Sequence, residues 1–392
     1  MATDSSSSGD VSTQSLSVAE VARRLSVSQA TVYRHVKDGL LPHFRFGGSL
    51  RVQESDLQAF IADQQSRSTP ARATADAASY EAAPAVALEH GRLQAWFEIV
   101  RPFSWTASLV PVALGAALAW RDDGFDAGLF ALVVVAAISL QAGTNVINEV
   151  FDVRNEVDTV DSPRASKVLV QGRLTASEAY RAALLLLGIA VAIGGYLIAL
   201  RGPAMLAIGL AGLVGGYGYT APPLQYKYRA LGVPLVFVLM GPLMAFGAYY
   251  AISGDVTRDA WLIAIPAGFM VAAILHANDV RDVEDDRRAG FRTLSTMLGQ
   301  QRGAIFYISL VLGGYASVVV LAATGVFAWW ALLTLVTLPA AVVAIQAMVS
   351  GTGLAAGNSP AGMAKIDLMT AQTHVTFGLL LSLSIVLEEA TF

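Results

Sequence analysis

The chain has 392 residues, of which 55% are hydrophobic and only 14% are charged, and its mean hydropathy is +0.54. This composition excludes an ordinary soluble domain of that size and predicts several transmembrane segments. The formal net charge of -4 is uninformative, since membrane proteins distribute charge by side, and the absence of cysteine excludes disulfides, thiolate nucleophiles and cysteine-bound metals.

The N-terminal quarter of the chain is much more polar than the remainder. Residues 1–14 are rich in Ser and predict a disordered tail without the apolar core of a secretory signal peptide. Residues 15–65 predict a small soluble module, and residues 66–92, rich in Ala, Ser, Thr and Pro, predict a flexible linker. The membrane domain is expected to occupy residues 93–392.

Residues 15–65 carry the signals of a helix-turn-helix with a wing. Ser17 and Glu20 form a capping box before a helix that ends at Leu25. A second helix is predicted from Ser28 to Gly39, followed by a β-hairpin in HFRFGGSLRV and a last helix from residue 54 or 55. The pattern resembles the excisionase and MerR-like helix-turn-helix family.

That resemblance implies that the second helix enters the major groove of DNA. The implied DNA contacts are Gln29, Thr31, Tyr33, Arg34, Lys37 and, on the wing, Arg45. The module has six Lys or Arg residues against five acids, which is a weak positive balance for a protein that binds phosphates. A protein-docking module or a remnant of gene fusion stays open as the alternative.

Nine apolar segments follow, and they predict an all-α polytopic bundle of nine transmembrane helices. They span residues 103–120, 128–148, 178–200, 203–219, 232–252, 260–279, 304–323, 326–349 and 371–388. Loops after the even-numbered segments carry twelve Lys or Arg residues, whereas the opposite loops carry three. The positive-inside rule therefore predicts a plasma-membrane protein whose N-terminal module and even-numbered loops are cytoplasmic.

Two acidic clusters end the second and sixth segments, on the side predicted to be cytoplasmic. The first reads NVINEVFDVRNEVD and the second NDVRDVEDDRRAG. Asn148 and Asp152 are four residues apart, as are Asp282 and Asp286, so each pair shares one helix face. Carboxylates beside hydrocarbon are costly, and paired hard oxygen ligands suggest Mg²⁺ with a phosphate-bearing substrate. Solvated loop charges paired with nearby arginines are the alternative.

From Trp96 onward the chain resembles the UbiA family of membrane prenyltransferases. The resemblance rests on two acidic motifs, Asn148-Glu149-Val150-Phe151-Asp152 with Asp158, and Asp282-Val283-Glu284-Asp285-Asp286. In the first motif, Glu149 stands where the family usually has Asp. The resemblance implies nine helices around a central cavity that binds a prenyl diphosphate through Mg²⁺. The metal ligands it implies are Asn148, Glu149, Asp152, Asp158, Asp282 and Asp286, of which the four Asp residues are the predicted catalytic set.

Several further residues are predicted to bind the two substrates. Candidates for the diphosphate are Asn148, Lys167, Lys227 and Arg281, and candidates that orient the acceptor are Asp279 and Tyr226. Aromatic faces can shield an allylic cation, and the candidates for this role are Tyr217, Tyr219, Phe246, Tyr249 and Phe269.

Within the family, KVLVQGRLT, YTAPPLQYKYRALG and DLMTAQTHVTFGLLL resemble the menaquinone branch, which prenylates 1,4-dihydroxy-2-naphthoate with decarboxylation. The expected partners are thus a polyprenyl diphosphate, an aromatic acceptor and the lipid bilayer. Other acceptors stay open: 4-hydroxybenzoate, homogentisate, a haem or a lipid alcohol. A membrane-anchored DNA-binding regulator is the alternative of another class.

Overall fold

A computed structural model of the chain describes residues 15–25, 32–33, 35–36, 39–46, 49–67, 85–154, 168–169, 171–288, 290–354 and 363–391. Several residues singled out from the sequence lie outside these ranges: Gln29, Thr31, Arg34, Lys37, Asp158 and Lys167. The backbone of Arg45 is described but its side chain is not.

The N-terminal module contains a three-stranded antiparallel sheet and two described helices. Its elements are β1 Ser15–Ser17, α1 Val18–Leu25, β2 Phe44–Phe46, β3 Ser49–Gln53 and α2 Glu54–Arg67, with strand order β1-β3-β2. The predicted capping box is confirmed: Glu20 N–H donates to the Ser17 hydroxyl, and Ser17 N–H donates to the Glu20 carboxylate. The predicted hairpin is confirmed as β2 and β3, whereas β1 was not predicted because three residues carry too little alternation.

A helical bundle occupies the rest of the chain. Its elements are α3 Ala85–Val100, a 3₁₀ turn Pro102–Trp105, α4 Thr106–Arg121, α5 Ala127–Arg154, α6 Ala176–Arg201, α7 Pro203–Tyr217, a 3₁₀ turn Tyr226–Tyr228, α8 Gly232–Met240, α9 Pro242–Ser253, α10 Asp259–Leu262, α11 Ile265–Arg281, α12 Val283–Arg288, α13 Leu294–Leu298, α14 Gln300–Ala323, a 3₁₀ segment Trp329–Thr337, α15 Leu338–Gly351 and α16 Ile366–Thr391. Residues 85–92, at the end of the predicted linker, therefore lie in α3.

Each of the nine predicted apolar segments coincides with helix. Eight helical stretches among the described residues are long and apolar enough to cross a membrane. The remaining segment, α7, has 15 residues, which at 1.5 Å per residue is about 22 Å, short of the roughly 30 Å hydrocarbon core. The chain is thus a multi-pass membrane protein, whose described residues include eight clear candidate spans and one shorter apolar helix.

The predicted segments 232–252, 260–279 and 326–349 are each divided between two helical elements, and proline and glycine explain the break in the first of them. Pro242 lacks the N–H that would continue α8, so α9 starts there. A Cβ on Gly241 would lie 2.6 Å from Gly268 Cα, so a glycine is needed where α8 and α11 cross. The break places the two halves of this segment against different neighbours.

Successive helices alternate in direction, so the loops fall at two ends of the bundle. At one end α5 and α11 finish with the two acidic clusters; this is named the acidic end, and α16 begins there at Ile366. At the other, named the opposite end, α4, α6, α9 and α14 finish. Both predicted clusters therefore lie at the same end of the bundle.

Candidate active site

A cavity of about 230 Å³ opens at the acidic end, and residues of both acidic clusters line it. The first cluster contributes Asn148 and Asp152, and the second contributes Asn278, Asp279, Asp282 and Asp286. The cations on its wall are Arg101, Lys227 and Arg281. Farther into the bundle the wall is apolar, with Val236, Leu239, Met240, Met244, Val271, Ile274 and Leu275. The cavity thus combines a charged region with a hydrocarbon-like one.

Asp152 is a buried carboxylate of the first cluster that lines the cavity, and a loop from another part of the chain reaches it. Lys227 Nζ lies 3.0 and 2.9 Å from its two oxygens, and the Tyr228 hydroxyl donates to Oδ1. One turn earlier on α5, the side-chain oxygen Oδ1 of Asn148 accepts a hydrogen bond of 2.8 Å from the Thr220 hydroxyl. The first cluster is therefore oriented by the loop between α7 and α8.

That loop owes its shape to several local contacts. Gln225 has a φ of 45°, a left-handed conformation that reverses the chain just before the 3₁₀ turn. The Tyr226 hydroxyl donates to the Gly215 carbonyl, and the Tyr228 ring stacks on Phe291 with centroids 4.2 Å apart. Phe291 follows the second cluster, so this stacking joins the loops of both clusters at the mouth of the cavity.

The second cluster begins where α11 ends. Arg281 donates to both oxygens of Asp282, from Nε at 2.9 Å and from Nη2 at 3.1 Å. Arg281 Nη1 also lies 2.9 Å from Asp367 Oδ2, at the start of α16. Asp286 lies one turn after Asp282 and its backbone N–H donates to the Asp282 carbonyl, so both buried carboxylates stay on the cavity side.

Glu149, predicted from the resemblance as a metal ligand, occupies a different position from its neighbours in the cluster. Its side chain is fully buried, and its Oε2 pairs with Arg101 Nη2 at 3.0 Å. Arg101 lines the cavity, whereas Glu149 is not among the lining residues. Glu149 is adjacent to Asn148 on α5, so the two side chains leave the helix in different directions, and that of Glu149 is directed at Arg101. The structure places Glu149 as the counter-ion of a cavity arginine.

The donor atoms around the cavity fit a hard divalent cation that is shared with a phosphate. Among the described residues, no three Asp, Glu or His side chains surround one position. Mg²⁺ commonly takes only one or two carboxylates and completes its shell with substrate phosphates and water. Carboxylates from two helix ends supply such partial sets, and the buried Asn278 Oδ1 has no hydrogen-bond partner within the described part of the chain.

Of the aromatic candidates, Tyr219 is the one that lines the cavity together with Tyr226. Their rings meet edge to face at 5.4 Å, and Lys227 Nζ lies 5.9 Å from the Tyr219 centroid. Burial raises the pKa of Tyr219, and the nearby Asp279 carboxylate raises it further, while burial also raises the pKa of Tyr226. Both phenols therefore remain neutral, and the Tyr226 hydroxyl donates its proton to the Gly215 carbonyl.

The other aromatic candidates lie elsewhere. Phe246 stacks on Trp261 at 4.3 Å, and the Tyr249 hydroxyl donates to Asp122 at the opposite end. Phe269 packs edge to face on Phe237 at 4.9 Å. These three residues and Tyr217 are not among the lining residues of the cavity, so their aromatic character serves packing.

The residues of this site that were not singled out from the sequence include Arg101, Tyr228 and Asp367. Arg101 precedes Pro102 at the kink between α3 and α4, and the Asn145 side chain fixes that kink by donating to the Val100 carbonyl at 2.9 Å. Asp367 is the one acid in the first turn of α16. In the sequence, Asp367 is recognisable as a single acidic residue shortly before the last apolar segment, and this position was the available signal for it.

The comparisons with known proteins agree on one family for the membrane domain. Residues 108–356 match the model of the UbiA prenyltransferase family, and residues 15–65 match a helix-turn-helix domain. The chain is 29% identical to 1,4-dihydroxy-2-naphthoate octaprenyltransferase of Bacillus subtilis (strain 168), covering 75% of this chain and 93% of that protein. It is 32% identical to a Drosophila melanogaster homologue of UbiA prenyltransferase domain-containing protein 1, covering 64% and 70%.

Two solved structures share the fold of the bundle. A digeranylgeranylglyceryl phosphate synthase superposes with a TM-score of 0.51 at 18% identity, covering 75% of this chain and 99% of that chain. A UbiA homologue from Aeropyrum pernix K1 superposes with a TM-score of 0.52 at 17% identity, covering 72% and 97%.

Proposed function

Because the chain belongs to the UbiA prenyltransferase family, with a helix-turn-helix domain at its N-terminus, we propose that it prenylates 1,4-dihydroxy-2-naphthoate in menaquinone biosynthesis. The donor is a polyprenyl diphosphate, and the acceptor loses its carboxylate as CO₂. The observation that carries this proposal is the cavity in which both acidic clusters face three cations and an apolar wall. Such a cavity suits a substrate with a charged head and a hydrocarbon tail.

In the reaction, the C–O bond between the allylic carbon and the diphosphate breaks, and a ring carbon of the acceptor forms the new bond. Negative charge develops on the departing diphosphate. Lys227 and Arg281 lie on the cavity wall, where their N–H groups can bind its oxygens. Tyr219 presents a neutral aromatic face to the region where the allylic cation forms, and the apolar wall excludes water from it.

The proposal assigns the divalent-cation sites to the cluster residues. Asp152, with Asn148, would hold one cation, and Asp282 with Asp286 the other; Asp158 and Lys167, which lie outside the described ranges, remain proposed members of the site. Mg²⁺, when bound, would neutralise the leaving diphosphate by Lewis-acid interaction with its oxygens. Asp152 and Asp282 are already ion-paired, so these carboxylates are held in place by Lys227 and Arg281.

The identity of the acceptor is the most specific element of the proposed reaction. The similarity to the Bacillus subtilis 1,4-dihydroxy-2-naphthoate octaprenyltransferase supports it. Asp279 and Tyr226 line the cavity beside Tyr219, which supports their proposed role in orienting an acceptor hydroxyl. Because the Tyr226 hydroxyl already donates to the Gly215 carbonyl, its oxygen would act as a hydrogen-bond acceptor. A panel of acceptors distinguishes the alternatives: purified protein in lipid nanodiscs receives farnesyl diphosphate, Mg²⁺ and one acceptor at a time. We expect a decarboxylated, prenylated product from 1,4-dihydroxy-2-naphthoate by mass spectrometry. Product from 4-hydroxybenzoate, homogentisate, a haem or a lipid alcohol alone would refute this acceptor.

The orientation of the bundle is also proposed: the acidic end faces the cytoplasm, as the bias of twelve against three cations supports. The chain has no cysteine, so single introduced cysteines are unique labels. In intact cells, a membrane-impermeant maleimide should label Asp255→Cys at the opposite end and spare Gln171→Cys at the acidic end. The reverse labelling would invert the proposed topology.

A second role is proposed for residues 15–65, because they match a helix-turn-helix domain and form its wing. The proposal is that this module binds duplex DNA while the bundle remains in the membrane. Full-length protein in nanodiscs should retard labelled genomic fragments, and the double substitution Arg34→Ala with Lys37→Ala should reduce binding. Equal binding by both proteins would contradict recognition through the second helix.

A further inference from the structure

Asp367 is a buried acid that neither acidic cluster contains, yet it contacts the second cluster. It lies in the first turn of α16, and its Oδ2 is 2.9 Å from Arg281 Nη1. Both side chains are only 8% exposed, and both line the cavity. A helix N-terminus favours a carboxylate modestly, but such an acid is normally solvated. The burial of Asp367 against Arg281 therefore indicates a more specific role for this carboxylate than a favourable interaction with the helix N-terminus.

Arg281 is held from two sides by its fixed fork of donors. Nε and Nη2 donate to Asp282, whereas Nη1 is directed at Asp367. A guanidinium bound to one carboxylate alone forms a neutral pair, whose oxygens attract a further cation weakly. With Asp367 as a third member, the three side chains carry one net negative charge. The Asp282 carboxylate then retains attraction for a second positive charge.

The backbone that carries Asp367 is firmly anchored. The Thr370 hydroxyl donates to the Ile366 carbonyl at 2.7 Å and accepts from the Tyr307 hydroxyl at 2.7 Å. Ile366, Thr370 and Tyr307 are all buried, which locks the first turn of α16 against α14. Asp367 is thus fixed in position, so that Arg281 keeps a partner even when the oxygens of Asp282 turn to another ligand.

From these contacts we propose that Asp367 is a positioning residue. It holds Arg281 through Nη1 so that Asp282 can bind the divalent cation that accompanies the prenyl diphosphate. The inference rests on the proposed function, in which Asp282 is a cation ligand, and adds the C-terminal helix to the machinery of the site.

The test measures cation binding directly and does not depend on turnover. Full-length protein in nanodiscs, with the unreactive analogue farnesyl thiodiphosphate, is titrated with Mn²⁺ and free Mn²⁺ is followed by electron paramagnetic resonance. Asp367→Asn should weaken Mn²⁺ binding about tenfold, the range found when a group that supports a metal ligand is removed. Asp367→Glu, which keeps the charge, should retain more affinity than the Asn variant.

Two further variants separate positioning from a structural role. Glu388→Gln is the matched control, because Glu388 lies at the other end of α16 beside Arg121; its Mn²⁺ affinity should equal that of the wild type. Arg281→Gln combined with Asp367→Asn restores the net charge of the three side chains. Because Arg281 is also a proposed diphosphate ligand, this double variant and Asp367→Asn are compared by Mn²⁺ titration without the analogue, where the double variant should regain most of the affinity lost in Asp367→Asn. Further loss in the double variant would overturn the proposal.

The outcomes also separate this inference from the proposed function. Wild-type affinity in Asp367→Asn would end the inference while leaving prenyl transfer intact. A wild-type protein that yields no prenylated product, but whose Mn²⁺ affinity still falls in Asp367→Asn, would refute the reaction and retain the positioning role.

Discussion

Two arginines join helices at the two ends of the bundle, and their surroundings differ. At the opposite end, Arg121 lies 3.0 Å from Asp122, 3.1 Å from Asp259 and 3.9 Å from Glu388. At the acidic end, Arg281 pairs with Asp282 and Asp367. Each arginine thereby holds one end of α16.

The difference lies in the space beside the ion pairs. Arg281 and its two partners line the cavity, whereas Arg121 and its three partners are not among the lining residues. Similar charges at helix ends therefore support different roles: the partly exposed network around Arg121 fastens helices, whereas the network around Arg281 borders a cavity and can exchange partners with a ligand. A cluster of carboxylates can therefore bind a ligand where the packing of helices forms a cavity beside it.

The largest effect on activity is expected at the cluster carboxylates of the acidic end. Asp152→Asn and Asp282→Asn should each lower kcat/KM about 10²–10³-fold, because charge stabilisation of the leaving group is lost. Asp259→Asn at the opposite end is the matched control and should keep wild-type transfer. Prenyl transfer by purified protein in nanodiscs measures this, and comparable losses in all three variants would remove the distinction between the ends.

The opposite end should respond in stability. Arg121→Gln leaves three carboxylates without their shared cation, and since Arg121 is only partly buried, we expect a loss of about 2 kcal/mol. Thermal unfolding in detergent should show a lower Tm, while kcat per folded molecule stays unchanged. A catalytic defect at unchanged Tm would mean that Arg121 acts in the reaction.

A smaller effect on activity is expected for Lys227, which lies in the loop between α7 and α8 and pairs with Asp152. Lys227→Met should raise KM for the prenyl diphosphate about tenfold, because it removes a charge-assisted donor from the cavity wall. Lys365→Met is the control, since Lys365 is exposed at the same end and does not line the cavity. Equal KM increases in both would indicate a general effect of surface charge.

The smallest expected effects come from two tyrosines that each donate to an aspartate. Tyr228 donates to Asp152 at the acidic end, and Tyr249 donates to Asp122 at the opposite end. Each change to Phe removes one hydrogen bond, worth about 1 kcal/mol. Tyr228→Phe should raise KM severalfold, whereas Tyr249→Phe should lower Tm slightly and leave KM unchanged. Steady-state kinetics and thermal unfolding distinguish them.

Sequence reasoning recovered much of the fold because hydrophobicity and capping are local properties. Ser17 and Glu20 form their predicted capping box, and the nine apolar segments coincide with helix. The features that were not predicted depend on residues far away in the sequence. Strand β1 is stabilised by pairing with β3, and the break at Gly241 follows from the close approach of Gly268. Neither neighbour is adjacent in sequence.

For the site, the sequence determined which residues could share a helix face. The spacing of Asn148 and Asp152, and of Asp282 and Asp286, placed oxygens on common faces, because helical periodicity follows from backbone geometry alone. The same spacing could not tell that Glu149 turns to Arg101, since that depends on the kink at residues 101–105.

Which cation meets which carboxylate was decided only in three dimensions. Lys227 reaches Asp152 from a loop, and Asp367 reaches Arg281 from the last helix. Ion pairing depends on distance through space and on burial, and neither is encoded in the spacing of residues along one helix. The sequence alone determined a membrane bundle with two acidic helix ends, and the packing of distant helices brought those ends to one cavity.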